Sequence, residues 1–442
     1  MTTQAVIEPP PAAAANPPWS LATRILFRFC VLYFTLFALS TQIITSLIVI
    51  PNVDTPSPAS LPPLRQIVGL AAAHLFHLAP TPAFFAETGS GDRPADWILA
   101  FCLLIFAVLG TALWSILDRR RPSYIALRKW FWLFFRFCLA GQMLTYALVK
   151  IVPLQMPYPP LTRLLEPFGN FSPMGVLWYS VGASPAYEIF AGSAEMLGGL
   201  LLLIPRTRTL GALICLADMT QVFVLNMTYD VPVKLFSFHL ILMSLLLLAP
   251  DFRRLADFFF LRRPVAPPVY PPLFQSPRWN RLASLLQVVF VLWLIGTGIY
   301  GDHDAWHEYG GGAPKSALYG IWNVESLTVD GKPSPPLLTD TTRWRRVVFD
   351  SHSRTAFQQM DDKDQYFRAT IDPGRKTVAL RRPGDAQIQG TLTYAQPSPD
   401  KLTLDGTLNQ HSFHAELALC DRSQFMLVSR GFRWVQQYPY NH

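Results

Sequence analysis

An apolar run of roughly 17 to 25 residues is long enough for a helix to cross a hydrocarbon core of about 30 Å, and seven apolar runs of about this length or longer occur in the chain. They run Leu21 to Ile50, Trp97 to Leu117, Trp130 to Val152, Tyr187 to Ile204, Leu210 to Leu225, Val233 to Ala249 and Leu282 to Tyr300. Backbone in lipid must satisfy its own N–H and C=O groups, so these runs predict an α-helical integral membrane bundle. The first is long enough to tilt or extend past the membrane, and the fifth is the shortest. Ile67 to Leu78, carrying His74 and His77, is too short to span and is expected to lie in the interface.

Composition locates where this solvent preference changes. Apolar residues make up 51% of the chain and charged residues 15%, against about a quarter charged in soluble domains. The charge deficit is confined to the part before Tyr300; from Pro314 onward, charged and apolar residues alternate as in water-soluble β proteins. The expected organisation is a disordered cytoplasmic tail at 1–18, a transmembrane helical domain at 19–300, a Gly-rich linker at 301–313 and an all-β domain at 314–442. The first apolar run is too long for a cleaved signal peptide and lacks a small-residue cleavage site, so it is expected to remain as a helix.

The formal charge of +8 sits in short basic clusters beside apolar runs, which argues for membrane loops and against nucleic acid. Arg119, Arg120, Arg121, Arg128 and Lys129 follow the second run. Arg206 and Arg208 follow the fourth, and Arg253, Arg254, Arg262, Arg263, Arg278 and Arg281 follow the sixth. The positive-inside rule makes these loops and the N-terminus cytoplasmic and places the C-terminal domain on the outer, periplasmic face. The five cysteines form no CxxC and read as small core residues.

In the C-terminal part, alternating segments at Trp344 to Phe349, Thr377 to Leu380, Ile388 to Tyr394, Leu402 to Leu408 and Phe413 to Leu419 are separated by turns. These turns are Asp330-Gly331, Asp372-Pro373-Gly374, Pro383-Gly384-Asp385 and Ser398-Pro399-Asp400. About eight such strands predict a closed antiparallel barrel, with a sandwich as the alternative. The barrel would be filled by side chains or enclose a small ligand. In Ser429-Arg430-Gly431-Phe432-Arg433-Trp434, an Arg stacked on Trp is expected to close one mouth near the last strand.

Ionisable residues inside the apolar runs are the candidate ligand-binding residues, because a carboxylate costs a few kcal/mol at mid-bilayer and normally faces a bundle interior. Glu195 lies near the middle of the fourth run, with Glu188 seven residues earlier on roughly the same face. Gly192, Ser193 and Gly199 offer small surfaces for helix packing. Asp218 repeats the pattern in the fifth run. Lys234 opens the sixth and His239 follows, about 140° round the helix; Lys234 is expected to snorkel or to pair with Asp230. Tyr146 and Lys150 share a face of the third run. Together with Glu188 and Lys234 they would rim one polar pocket beneath the long loop from Pro153 to Pro185, which is longer than a connection needs. For each, a purely structural role in holding helices together is the competing reading. His303, Asp304, His307 and Glu308 have helical metal-ligand spacing, but their place in the expected linker argues for solvated residues, and no HExxH or cysteine pair is present. Gly89-Ser90-Gly91 lacks the Lys-Ser/Thr of a P-loop, and there is no GxSxG elbow.

A resemblance rests on several of these residues. Arg136 to Lys150, Glu188, Glu195 with Gly198-Gly199-Leu200-Leu201-Leu202-Leu203, Arg206-Thr207-Arg208 and Gly211-Ala212-Leu213 resemble the DoxX family of four-helix membrane proteins and its MauE-like relatives, over roughly 130–251. Asn226 to Lys234 and the ending Arg430-Gly431-Phe432-Arg433-Trp434 are similar to bacterial membrane proteins described as DoxX-like. The resemblance implies a bacterial inner-membrane protein, a DoxX-like four-helix core and a connection to quinone-linked redox complexes or to the maturation of a periplasmic protein partner. The three further helices and the β domain depart from the four-helix pattern, and the lack of a cysteine pair removes thiol exchange. No cofactor is evident from the residues themselves; quinone is the one that the resemblance implies. Two functions are carried forward, a small-molecule-binding redox component and a non-enzymatic scaffold, with enzyme activity left open.

Overall fold

The computed structural model describes residues 18–51, 53, 55–266, 272–351, 353–384 and 387–441. The tail expected at 1–18 therefore lies outside them save for its last residue, as do Asp385 of one expected turn and His442. The chain forms two compact units, Met1–Thr145 with Glu195–Met227 and Val231–Thr297, and Tyr146–Ala194 with Thr228–Asp230 and Gly298–His442.

The helices are α1 Leu21–Ser40, α2 Gln42–Leu47, α3 Pro62–Leu75, α4 Pro94–Leu117, α5 Ile125–Ile151, α6 Pro173–Gly182, α7 Pro185–Leu203, α8 Arg208–Thr228, α9 Lys234–Leu248, α10 Phe252–Phe259 and α11 Pro277–Glu308. Among the described residues, seven helices are long and apolar enough to cross a membrane: α1, α4, α5, α7, α8, α11 and the span Lys234–Phe259. Proline opens α3, α4 and α6, where its missing N–H has no helical partner to lose. Gly211 sets α7 against α8, since a Cβ there would stand 2.4 Å from the Leu202 backbone nitrogen.

Three boundaries differ from the sequence reading. The first run is not one helix to Ile50, because it stops at Thr41, whose backbone is extended and whose Oγ1 donates to the Phe37 carbonyl at 2.7 Å. The short fifth run is the interior of a 21-residue helix extended by polar residues at both ends. The expected linker at 301–313 is mostly helix, since α11 continues through Glu308 and ends where Tyr309 and Gly310 both donate to the Ala305 carbonyl. Trp306 lies over that ending; a Cβ on Gly311 would meet its ring at 2.4 Å, so a glycine is needed there.

The C-terminal part is a closed antiparallel barrel. Its strands are β1 Lys315–Val329, β2 Lys332–Pro333, β3 Trp344–Ser351, β4 Arg354–Gln359, β5 Asp364–Asp372, β6 Thr377–Arg381, β7 Ile388–Ser398, β8 Lys401–Leu408 and β9 His411–Leu419. Each pairs with its neighbour in the order β2-β1-β3-β4-β5-β6-β7-β8-β9, and β1 closes the ring on β9, with Trp322 opposite Leu419 and Leu327 opposite Ala415. Eight strands form the wall, β2 being a two-residue appendage to β1. Gly406, at φ 151°, lets β8 cross β7 where a Cβ would stand 2.2 Å from the Thr391 carbonyl oxygen. Trp322, Trp344, Phe349, Phe357, Phe367, Leu392 and Leu404 are among the buried side chains that fill the interior. Arg343, next to the start of β3, is buried and donates to the carbonyls of Ser334 at 2.8 Å and Trp344 at 3.0 Å. The expected Arg–Trp closure is not formed. The last strand ends at Leu419, a short α12 follows at Met426–Ser429, Arg430 lies over the Tyr440 ring at 4.0 Å, and Trp434 is 91% exposed.

The long loop expected at 153–185 contains α6 and packs against the barrel wall. Strand side chains alternate between faces. On β1, β3 and β4, Trp322, Val347, Phe349 and Phe357 point inward, while Ile321, Val348 and Ala356 point outward and are buried against Leu161, Leu164 and Leu165 of the loop. The Leu161 N–H donates to Asp350 Oδ2 at 3.0 Å. Burial raises the Asp350 pKa above the ordinary carboxylate value, opposed by that hydrogen bond and by the charges of Arg354, Arg422 and Lys315.

A carboxyl whose folded pKa is raised takes up a proton on folding, so its contribution to stability increases as pH falls through the folded value and is complete below the unfolded one. Asp350→Asn keeps an acceptor for Leu161 and removes the charge. Its melting temperature is expected to exceed that of the native chain at pH 7, with the difference closing towards pH 4. A difference independent of pH would contradict this account of the loop contact.

Candidate functional site

Two helix ends bring Tyr146, Lys150 and Glu188 together. Lys150 lies in the last turn of α5, where a cation complements the exposed carbonyls, and Glu188 lies in the first turn of α7, where an anion complements the free N–H groups. The helices touch through Gly192, where an added Cβ would stand 2.7 Å from both the Ala147 carbonyl oxygen and the Lys150 Cβ. Lys150 Nζ lies over the Tyr146 ring, 5.6 Å from its centroid. Its charge also reaches the Glu188 carboxylate.

Glu188 is fully buried. Its Oε1 accepts the Met156 N–H at 2.9 Å, while its Oε2 is buried and has no hydrogen-bond partner among the described residues. The same stretch of chain is held from its other side, because Gly182 at the end of α6 approaches the Met156 and Pro157 carbonyl oxygens within 2.6 Å and 2.3 Å of where a Cβ would be. A buried carboxylate with one satisfied oxygen is expensive unless a further donor reaches the second. This arrangement can bind a hydroxyl or other donor group, or hold a proton.

The other candidates have different surroundings. Glu195 is buried and Asp218 partly so, and both lie close enough to Cys215 for their charges to act on it. His239 is stacked on Phe37 at 3.9 Å between centroids. Its Nδ1 lies 2.7 Å from the Leu235 carbonyl oxygen and its Nε2 2.7 Å from the Tyr33 hydroxyl. A carbonyl can only accept, so Nδ1 carries the proton and Nε2 accepts from Tyr33. Both ring nitrogens are thus occupied by the protein. Lys234 Nζ lies 3.8 Å from Asp92, whose carboxylate accepts the N–H groups of Lys234 and Leu235 at 2.8 and 2.9 Å and so caps α9. Asp92 is thus a partner for Lys234 that the sequence reading did not name.

Sequence reasoning also missed Tyr33, the Met156 amide and a buried arginine. Arg28 on α1 donates to the Tyr124 hydroxyl from two nitrogens at 2.9 and 2.7 Å, to Ser115 Oγ at 2.8 Å and to the Asp118 carbonyl at 2.8 Å. Tyr124 in turn donates to Asp118 Oδ2 at 2.9 Å. An arginine inside an apolar run was a readable signal for such a network. Nothing local in the sequence marks Asp92 or Met156, since each acts on a helix far away in the chain.

These features define a multi-pass helical membrane protein with buried carboxylates and an extramembranous closed β-barrel. No family model and no solved structure matches the chain. Over 134 residues, 28% of this chain and 79% of the relative, it is 34% identical to the uncharacterized protein YwoB of Bacillus subtilis (strain 168). By that identity and coverage the chain belongs to the family of YwoB.

If His239 is a satisfied core side chain, Tyr33→Phe leaves its Nε2 buried without a donor and costs about 1–3 kcal/mol of stability in denaturant melts. Unchanged stability would return His239 to the group of groups held ready for a ligand.

Proposed function

We propose that the protein binds a small amphipathic molecule, its polar head against Glu188 and Lys150 and its apolar remainder among helix side chains. The observation that carries this reading is the Glu188 carboxylate, fully buried with Oε1 held by Met156 and Oε2 unpartnered. A ligand hydroxyl donating to Oε2 would remove the desolvation cost of that oxygen. Lys150 would bind an acceptor on the same head group, with the Tyr146 ring steadying its ammonium. Quinone and quinol have this combination of polar head and apolar tail, and the DoxX resemblance supports a component of a bacterial inner-membrane redox system. In this reading Glu195 is a buried acceptor or proton relay, Asp218 is a further polar group of the bundle, and the barrel domain is periplasmic.

The second reading is a scaffold or maturation factor that docks a periplasmic protein through the barrel. The exposed Phe432, Trp434, Val435 and Tyr438 beyond the last strand favour it, since exposed aromatic residues are frequent anchors of interfaces.

Mass spectrometry of small molecules carried by the gently purified chain, beside Glu188→Gln at equal folded yield, separates the two. A defined compound that follows the native chain and is lost from the variant is the expected result. Only bulk lipid in both samples would exclude the ligand reading and leave the scaffold.

A further inference from the structure

The continuation of α11 through Glu308 changes what His303 and His307 can do. In a solvated linker their spacing would mean nothing; on a helix, residues four apart stand one above the other. Their ring centroids are 4.5 Å apart and both side chains are exposed. The helix end that carries them is fixed, with Tyr309 and Gly310 both donating to the Ala305 carbonyl and Gly312 to that of Trp306.

The hydrogen bonds also orient both rings. His307 Nδ1 lies 2.9 Å from the His303 carbonyl oxygen, which can only accept, so Nδ1 holds the proton and Nε2 keeps its lone pair. His303 Nδ1 lies 3.5 Å from the Asp304 carboxylate, which as an acceptor favours the same tautomer. A carbonyl or carboxylate on the inner nitrogen is the arrangement that raises the basicity of a metal-bound imidazole and fixes its direction. Among the described residues, neither Nε2 has a hydrogen-bond partner. No described group of three or more His, Cys, Asp or Glu side chains is placed to hold a metal ion, so solvent would complete the coordination.

We propose that His303 and His307 form a two-imidazole chelate for a divalent transition-metal ion, with Asp304 as the carboxylate that orients His303. Imidazole pairs select copper, zinc or nickel over magnesium or calcium, which prefer oxygen ligands. The site is independent of the ligand proposed at Glu188 and lies on a different helix.

The test uses Cu(II) as the probe, added in equimolar amount to the full chain in detergent and read by electron paramagnetic resonance. The native chain is expected to show one type of copper with two equatorial imidazole nitrogens. His303→Ala and His307→Ala should each lose one of the two. His77→Ala and His411→Ala serve as controls and should leave the spectrum unchanged. A two-nitrogen spectrum that persists in the His303→Ala/His307→Ala double variant, or a native spectrum without two nitrogens, would overturn the assignment. Both substitutions fall on exposed faces of a helix, and circular dichroism of the variants checks that folding is retained.

Discussion

A polar group taken out of water must find its partner inside the protein, and in an apolar bundle that requirement is severe. The helix backbones meet it themselves, which leaves the side chains as the places where the fold must be built with care. Arg28 meets it with Tyr124, Ser115 and Asp118, and Asp92 meets it by capping α9 beside Lys234. Asp251 is likewise held by Thr209 at 2.7 Å and Arg254 at 2.6 Å. At fully buried Glu188, Oε1 is held by Met156 and Oε2 has no hydrogen-bond partner among the described residues. This fully buried, half-satisfied carboxylate is why the functional proposal is placed there.

The barrel obeys the same constraint by closure. Ring pairing of β1 with β9 removes a long exposed edge, and aromatic and aliphatic side chains are buried in the interior. The outer apolar strip of β1, β3 and β4 would be exposed to water if the loop carrying Leu161 did not cover it. The loop that starts at the Met156 contact with Glu188 thus continues to Asp350 of the barrel within a few residues. The first part of the loop is a structural element held at both Met156 and Leu161.

Much of the architecture was legible because it is written in local periodicity. Apolar length located the seven spans, and alternation with turn chemistry located five strands of the barrel. The run Val347-Val348-Phe349 also held information that alternation could not express: three successive apolar residues mark a strand covered on both faces, here by the interior and by Leu161. What escaped was non-local or depended on helix ends. The break at Thr41 comes from a side-chain hydrogen bond, and the polar end of α11 carries no hydrophobic signal to distinguish it from a linker. At the candidate site, Lys150 and Glu188 stood out as charges in apolar runs, and Tyr146 by sharing a helix face with Lys150. His239 looked alike in sequence, and only its contact with Tyr33, distant in the chain, shows that both its nitrogens are already used.

The most direct measurement is an electron cryomicroscopy map of the full chain in a lipid nanodisc, purified without added ligand and resolved well enough to place side chains at Glu188. The account predicts non-protein density with a polar atom about 3 Å from Glu188 Oε2, continuing as an apolar tail between helices. A Glu188 Oε2 held by a protein donor or a single water, with helix side chains packed where the tail would lie, would contradict it.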